Sequence, residues 1–194
     1  PKFFHPDPSV KRQSGFLTPS FKSSPNNNTF LSITYYKVIN ETEDFTFTPR
    51  LYAKNQIMLQ NEYRKVNKSS KFTTDFSIFN DDGNKLEGHF FYNLNKDLKL
   101  KNFDSGKLQL KFETASNDTY IKANKLTSPI INNYDLIEKS LNIDFSSENL
   151  YVNTDFIVYE NLNKPSNDRY EYIFPKIDLT KKINNKTNLN GEFQ

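Results

Sequence analysis

The most regular feature of the chain is an alternation of apolar and polar residues with a period of two. In residues 71–79 the apolar set includes Phe72, Phe76 and Ile78, and polar residues such as Lys71 occupy positions between them. The same alternation recurs in residues 107–114, 140–146 and 149–158. Because successive side chains of a β-strand point to opposite faces, each stretch is predicted to be a strand with one apolar face.

Less regular β-rich stretches fill much of the remaining chain and bring the expected number of strands to about ten. They cover residues 16–23, 30–39, 45–54, 57–66, 86–94 and 170–180. Clusters of Asn, Asp, Ser, Gly and Pro separate them, and these residues favour turns. No helical crossovers are predicted; residues 133–139 are the one stretch compatible with a helix. The sequence therefore predicts an all-β, antiparallel meander of long strands.

The predicted strand length distinguishes between all-β architectures. Ten residues span roughly 33 Å, and a tilt of about 40° reduces this to roughly 25 Å, the height of the apolar band of an outer-membrane barrel. Connections of two or three residues alternate with one of about twenty residues, as in such barrels. A soluble β-sandwich or jelly roll shows the same alternation with one face in its core, so the pattern alone leaves both architectures open.

On the barrel interpretation, the regular strands present faces that lack Lys and Arg and should contact lipid. A basic residue at mid-bilayer costs about 2–4 kcal/mol there. The expected lipid-facing residues are Phe72, Phe76, Ile78, Leu108, Leu110, Phe112, Leu141, Ile143, Phe145, Val152 and Phe156. We therefore expect Phe76→Lys or Phe112→Lys to abolish membrane assembly and Ser77→Lys, on the lumen face, to be tolerated.

Composition argues against most enzyme classes. The chain has no Cys, two His and five Gly, which excludes thiolate chemistry and leaves almost no material for a histidine metal centre, a Ser-His-Asp triad or a phosphate-binding glycine loop. His89 is expected to face a wet lumen without a catalytic role. The net charge of +3 over 194 residues gives no nucleic-acid footprint. No enzyme activity, cofactor or metal is expected.

The first 21 residues carry the most specific motif. Pro6 and Pro8 precede the basic pair Lys11 and Arg12, and residues 14–19 read SGFLTP. This order resembles the start of the barrel domain in the LptD (organic solvent tolerance) family of lipopolysaccharide-assembly outer-membrane proteins. Weaker matches follow in the family's order, in residues 45–64, 86–98, 115–126 and 169–180.

The resemblance implies an organisation and a role for the chain. Residues 1–15 would be the segment through which lipopolysaccharide enters on the periplasmic side. Residues 16–194 would be the first strands of a large, incomplete barrel, with the missing strands following residue 194. In the family, lipopolysaccharide arrives from periplasmic bridge proteins with a β-jelly-roll fold and leaves through a lateral seam at the first barrel strand. A plug lipoprotein occupies the lumen. The implied location is the outer membrane of a Gram-negative bacterium.

Specific residues follow from the same resemblance. Proline lacks the N–H that a strand ladder needs, so Pro19 is expected to weaken the first strand. The expected gate comprises Gly15, Phe16, Leu17, Pro19 and Phe21. Pro6, Pro8, Lys11 and Arg12 are expected to contact the incoming lipopolysaccharide.

Two further prolines carry a structural expectation. Pro49 and Pro175 lie within predicted strands and are interpreted as bulges.

The alternative functions are a small porin-like solute channel and a soluble periplasmic β-sheet binding domain.

Overall fold

The computed structural model describes residues 12–23, 29–53, 56–80, 85–184 and 190–193. Thirteen strands in these ranges form one antiparallel sheet. The strands are β1 (Gly15–Phe16), β2 (Ser20–Lys22), β3 (Phe30–Ser32), β4 (Tyr35–Asn40), β5 (Glu43–Tyr52), β6 (Ile57–Asn67), β7 (Ser70–Asn80), β8 (Leu86–Leu98), β9 (Ser105–Ala115), β10 (Leu136–Ser146), β11 (Leu150–Asn161), β12 (Tyr170–Asn184) and β13 (Asn190–Phe193). A one-turn helix, α1 (Tyr120–Ala123), and a short 3-10 helix (Ser166–Asp168) are also present.

The sheet has the topology of a simple meander. Its order is β1-β4-β5-β6-β7-β8-β9-β10-β11-β12-β13, and β2 and β3 extend the β1 and β4 side. In the described residues no pairing joins β1 to β13, so this piece of sheet is open at both edges. The predicted all-β antiparallel meander is confirmed, and its form is consistent with part of a barrel.

The long strands agree with the predicted ones, and the one stretch compatible with a helix is not helical. Strands β5 to β12 have between 10 and 15 residues each. Residues 133–139 are not helical, because β10 begins at Leu136. The helical turn occurs earlier, at Tyr120–Ala123. In the ranges that the structure describes, no helix is long and apolar enough to cross a membrane.

The strand register defines two faces of the sheet. Phe72 lies opposite Leu94, which lies opposite Leu110, so these residues share one face. We call it the open face. The other face carries Asp75 opposite Phe91, and it is the one that the long connection packs against. We call it the covered face.

Residues 116–135, which we call the cover segment, connect β9 to β10 and supply part of a buried core. Tyr120, Ile121, Leu126 and Ile130 of this segment are at most 3% exposed. They belong to one hydrophobic cluster with strand residues that include Phe30, Met58, Phe79 and Phe91. The apolar core thus lies between the sheet and the cover segment.

The two mid-strand prolines behave differently. β11 and β12 change register between Asp155 and Ile157, where Phe174 and Pro175 together lie opposite Phe156. The bulge predicted at Pro175 is therefore confirmed. The bulge predicted at Pro49 is wrong, because Pro49 pairs with Leu59 in an unbroken register.

Candidate functional site at the first strands and the covered face

The first strands, which we call the first-strand edge (β1 to β4), are paired much more sparsely than the rest of the sheet. β1 shares two residue pairs with β4, and β2 shares three with β3. By contrast, β6 and β7 are paired over eleven consecutive positions. Because ladder hydrogen bonds scale with paired length, β1 and β2 have the weakest pairing of the described strands, below the four pairs that β13 shares with β12.

The connection between β1 and β2 is one residue longer than the connection that lies opposite it. Residues 17–19 connect β1 to β2, whereas only residues 33–34 connect β3 to β4 on the partner side. Three residues therefore face two, which is the geometry of a bulge. The bulge brings Phe16 and Phe21 to the same face, although strict alternation would put them on opposite faces.

Two prolines flank the interruption between β3 and β4. Pro19 lies in the connection between β1 and β2, and not within a continuous first strand as the sequence predicted. On the other side, the Ile33 N–H donates to the Pro49 carbonyl at 3.1 Å, but Pro49 has no N–H to return. Residues 33 and 34 thus meet Pro19 on one side and Pro49 on the other, and the ladder is thinned there, although the Leu17 N–H still donates to the Thr34 carbonyl at 2.8 Å.

The expected gate residues are highly exposed. Phe16 is 75%, Leu17 50% and Phe21 69% exposed. Phe16 and Phe21 lie on the open face, and the Phe16 ring packs 5.0 Å from the ring of Tyr35. Gly15, by contrast, pairs with Tyr36, and a Cβ added to it would meet no atom within 4 Å.

Arg12 is engaged by the sheet. Its Nη1 donates to Asp44 Oδ2 at 2.7 Å, and its Nη2 donates to the Glu41 carbonyl. Asp44 Oδ1 also accepts from Arg64 Nε at 2.7 Å. A lipid phosphate would have to compete with Asp44 for Arg12. Of the other residues expected to contact incoming lipopolysaccharide, Pro6, Pro8 and Lys11 lie outside the described residues.

The eleven expected lipid-facing residues share the open face. The register links Phe72, Leu110, Leu141 and Phe156 in one row across the sheet through Leu94. Ile78 and Phe112 are 47% and 40% exposed. Whether this face contacts lipid stays a prediction.

The covered face holds a buried network of polar side chains that sequence reasoning missed. His89 Nδ1 lies 2.6 Å from Ser77 Oγ, and His89 Nε2 lies 3.1 Å from Asp75 Oδ1. Ser77 Oγ is also 2.7 Å from the Tyr120 hydroxyl of the cover segment. Burial raises the pKa of Tyr120 to about 12, so its hydroxyl keeps its proton at neutral pH. His89 is buried under the cover segment, so the expectation of a wet environment for it is wrong.

A second branch of the network runs through Gln60. The Gln60 amide donates to Asp75 and to the Thr127 carbonyl, and its oxygen accepts from Arg50 Nη2 at 2.7 Å. Arg50 Nη1 donates to the Asn124 carbonyl at 2.8 Å. Because buried polar groups are costly without partners, these bonds hold the cover segment on the sheet.

Ser77, His89 and Asp75 have the composition of a hydrolytic triad, which the small number of His residues in the sequence did not predict. The geometry argues against catalysis, because Ser77 is only 3% exposed and its hydroxyl is bonded to both His89 and Tyr120. A nucleophile must reach its substrate. The three residues therefore have a structural role, and the expected tolerance of Ser77→Lys is corrected, because a lysine there would have to enter the buried network.

The cover segment is also tied to the next connection. Asp118 accepts two hydrogen bonds from Arg169, of 2.8 and 2.5 Å, and Arg169 Nε donates to Glu160 at 2.9 Å. The hydrogen bonds from Arg169 lower the pKa of Asp118. Within the residues that the structure describes, no group of three His, Asp or Glu side chains is arranged to hold a metal ion.

Comparison with known proteins identifies relatives but no matching family model. The chain is 37% identical over 78 residues to the LPS-assembly protein LptD of Pseudomonas aeruginosa strain UCBPP-PA14. The matched stretch covers 40% of this chain and 8% of that protein. It is 43% identical over 56 residues to LptD of Paraburkholderia xenovorans, and this stretch covers 29% of this chain and 7% of that protein.

The match spans less than a tenth of the length of these curated relatives. The shared stretch, the opening motif and the all-β meander agree with one another. The chain is thus related, over part of its length, to the LptD family of LPS-assembly proteins.

Proposed function

We propose that this chain forms the first strands of an outer-membrane barrel that inserts lipopolysaccharide into the outer leaflet through a lateral seam at its first strand. Residues 1–15 guide lipopolysaccharide from the periplasm, and residues 16–194 contribute to the barrel wall. The location is the outer membrane of a Gram-negative bacterium, in line with relatives from Pseudomonas and Paraburkholderia that are named LPS-assembly proteins.

The observation that carries this proposal is the sparse pairing of the first-strand edge. β1 and β2 together share five residue pairs with their neighbours, and the connection of residues 33–34 lies between Pro19 and Pro49. Each missing ladder bond removes on the order of 0.5–1.5 kcal/mol from strand pairing. A wall that must part and reclose repeatedly needs such a weakened edge.

The open face supports a membrane location over a soluble domain. Exposed apolar side chains are spread over its strands, including Phe21, Leu51, Ile57, Ile78 and Phe174. A soluble protein rarely leaves so large a continuous apolar surface in water. Beside its buried apolar core, the covered face carries polar side chains such as Asp75, His89 and Glu113, as the lumen side of a barrel does.

The proposed partners follow from the same role. They are lipopolysaccharide itself, a plug lipoprotein on the lumen side and jelly-roll bridge proteins in the periplasm. The proposal includes no bond chemistry, since the barrel only provides a path.

A photocrosslinking experiment in cells tests the seam. The full-length protein carries a photoreactive phenylalanine analogue at position 16 or 21, and adducts with lipopolysaccharide are detected by immunoblot. We expect adducts that disappear when the periplasmic supply of lipopolysaccharide is depleted, because the substrate passes these positions only in transit.

The control places the analogue at Phe90, which shares the open face but lies on the fully paired strand β8. Adducts there should not depend on supply. Equal, supply-independent labelling at positions 16, 21 and 90 would contradict the seam. A porin-like channel predicts uptake of small solutes instead, and a soluble domain predicts no flotation with liposomes.

A further inference from the structure

A small cavity lies on the covered face directly behind β2 and β3. It has a volume of about 190 Å³ and touches both short strands and the long strands β5 and β6. Its lining includes the hydroxyl-bearing residues Ser20, Ser32, Thr34, Thr46 and Thr48, of which Thr34 and Thr48 have their hydroxyl oxygens 3.2 Å apart. Hydroxyl groups both donate and accept hydrogen bonds, which is the chemistry that sugar hydroxyls require.

Arg50 brings an incompletely satisfied charge to this cavity. It is 4% exposed, and its Nε atom has no hydrogen-bond partner among the described residues. Its other two nitrogens donate to neutral groups, the Asn124 carbonyl and the Gln60 amide oxygen. A buried guanidinium without a carboxylate partner is costly, and an anionic ligand would offset that cost.

A second cation lies nearby. Lys22 Nζ and Arg50 Cζ lie 6.0 and 5.0 Å from the centre of the same Phe30 ring, and both residues line the cavity. The carboxylate in the lining, Glu62, is ion-paired with Arg64 at 3.2 Å. The cavity therefore has unbalanced positive charge beside its hydroxyl groups.

We propose that this cavity binds an anionic sugar, meaning a saccharide unit that carries a phosphate or carboxylate group. Arg50 and Lys22 bind the anionic oxygens, and the Ser and Thr hydroxyls bind the ring hydroxyls. The proposal rests on the proposed function only for the source of that sugar, which would be the saccharide part of lipopolysaccharide as it passes behind the first-strand edge.

Direct binding measurements on the full-length protein in detergent, with its plug partner, test the site. The probes are glucose 6-phosphate, glucuronic acid, glucose and inorganic phosphate, and the binding of each is measured by calorimetry and saturation-transfer NMR. We expect the two anionic sugars to bind at least tenfold more tightly than glucose or inorganic phosphate. A delipidated core oligosaccharide, used as a further probe, distinguishes a glycolipid source from a free sugar phosphate.

Substitutions of residues that line the cavity test whether the probes bind there. Arg50→Gln should weaken glucose 6-phosphate binding at least tenfold, while Lys107→Gln, on the same face but outside the lining, should change it less than twofold. Because Arg50 also holds Asn124 and Gln60, Ser32→Ala and Lys22→Gln provide independent tests that spare this network. Each should weaken binding about three- to tenfold.

Unchanged affinity in Arg50→Gln, Ser32→Ala and Lys22→Gln would overturn the site. Equal affinity for glucose and glucose 6-phosphate, or for inorganic phosphate and glucose 6-phosphate, would overturn the anionic-sugar assignment. Surface display of lipopolysaccharide is measured separately in the same strains. If surface display does not depend on the first-strand edge but the probes still bind, the proposed function is wrong and the binding site stands. If display does depend on the edge but the probes do not bind, the binding site is wrong and the proposed function stands.

Discussion

The first-strand edge and the central strands belong to one sheet, yet they are held in opposite ways. β6 and β7 share eleven residue pairs, and the covered face of these strands is joined to the cover segment by buried side chains. β1 and β2 together share five pairs with their neighbours β4 and β3, lie at the sheet margin and have exposed apolar side chains. The difference teaches that buried contacts are concentrated where the cover segment docks, whereas β1 and β2 depend on few ladder pairs.

The largest expected effect comes from removing the anchor of the cover segment. Tyr120 is 1% exposed, so Tyr120→Ala should destabilise the docked segment by about 3–5 kcal/mol. Limited proteolysis should then cut within residues 116–135. Tyr134→Ala, in the same segment but 44% exposed, is the matched control and should remain protected. Equal protection of both variants would refute the anchoring role.

A charge on the open face should have the next largest effect. Phe112→Lys should cost about 2–4 kcal/mol if this position lies at mid-bilayer, and assembly should fail. Gln109→Lys lies on the same strand but on the opposite face, where it is exposed, and should assemble normally. Heat-modifiable gel mobility of the full-length protein reports assembly. If both variants assemble equally well, the open face does not contact lipid.

Repair of the first-strand edge should have a smaller effect on stability. Pro49→Val supplies an N–H opposite Ile33 and should add one ladder bond, worth about 0.5–1.5 kcal/mol. Amide exchange at Ile33 and its neighbours should slow, and lipopolysaccharide should reach the surface more slowly. Pro175→Val, in the bulge of β12, is the control and should leave transport unchanged. Faster transport in Pro49→Val would contradict the weakened-edge explanation.

The smallest expected effect is at the exposed tether of the cover segment. Because Arg169 lowers the pKa of Asp118, the tether stabilises the fold above the ordinary Asp pKa and is lost as pH falls through the lowered value. Asp118→Asn should cost less than about 1 kcal/mol at pH 7, as exposed ion pairs do. The difference in melting temperature from the native chain should vanish in strong acid. A difference that grows on acidification would contradict this sign.

The sequence predicted the central strands well because one physical rule governs them. Alternation in residues 71–79 and 107–114 follows directly from one polar and one apolar face, and β7 and β9 match it. The rule does not say what lies against the polar face. Ile121, Leu126 and Ile130 in a long connection were a signal that this connection packs inward, but their targets depend on tertiary folding.

Long-range contacts explain the parts of the site that sequence reasoning missed. Arg12 and Asp44 are 32 positions apart, and Arg50 and Asn124 are 74 apart, so no local pattern connects them. Pro19 could be recognised as a strand breaker from its chemistry alone. The register offset beside it could not, because it depends on the length of the partner connection.

That offset has a consequence for how the edge tolerates genetic change. Since three residues face two between β1 and β2, replacing Pro19 with any other amino acid restores an amide but leaves one residue too many. Closing the ladder would instead require an in-frame deletion, which is rarer than a point substitution. Substitution of a single residue among 17–19 therefore cannot restore continuous pairing of this edge, and its sparse pairing is maintained by chain length as well as by residue identity.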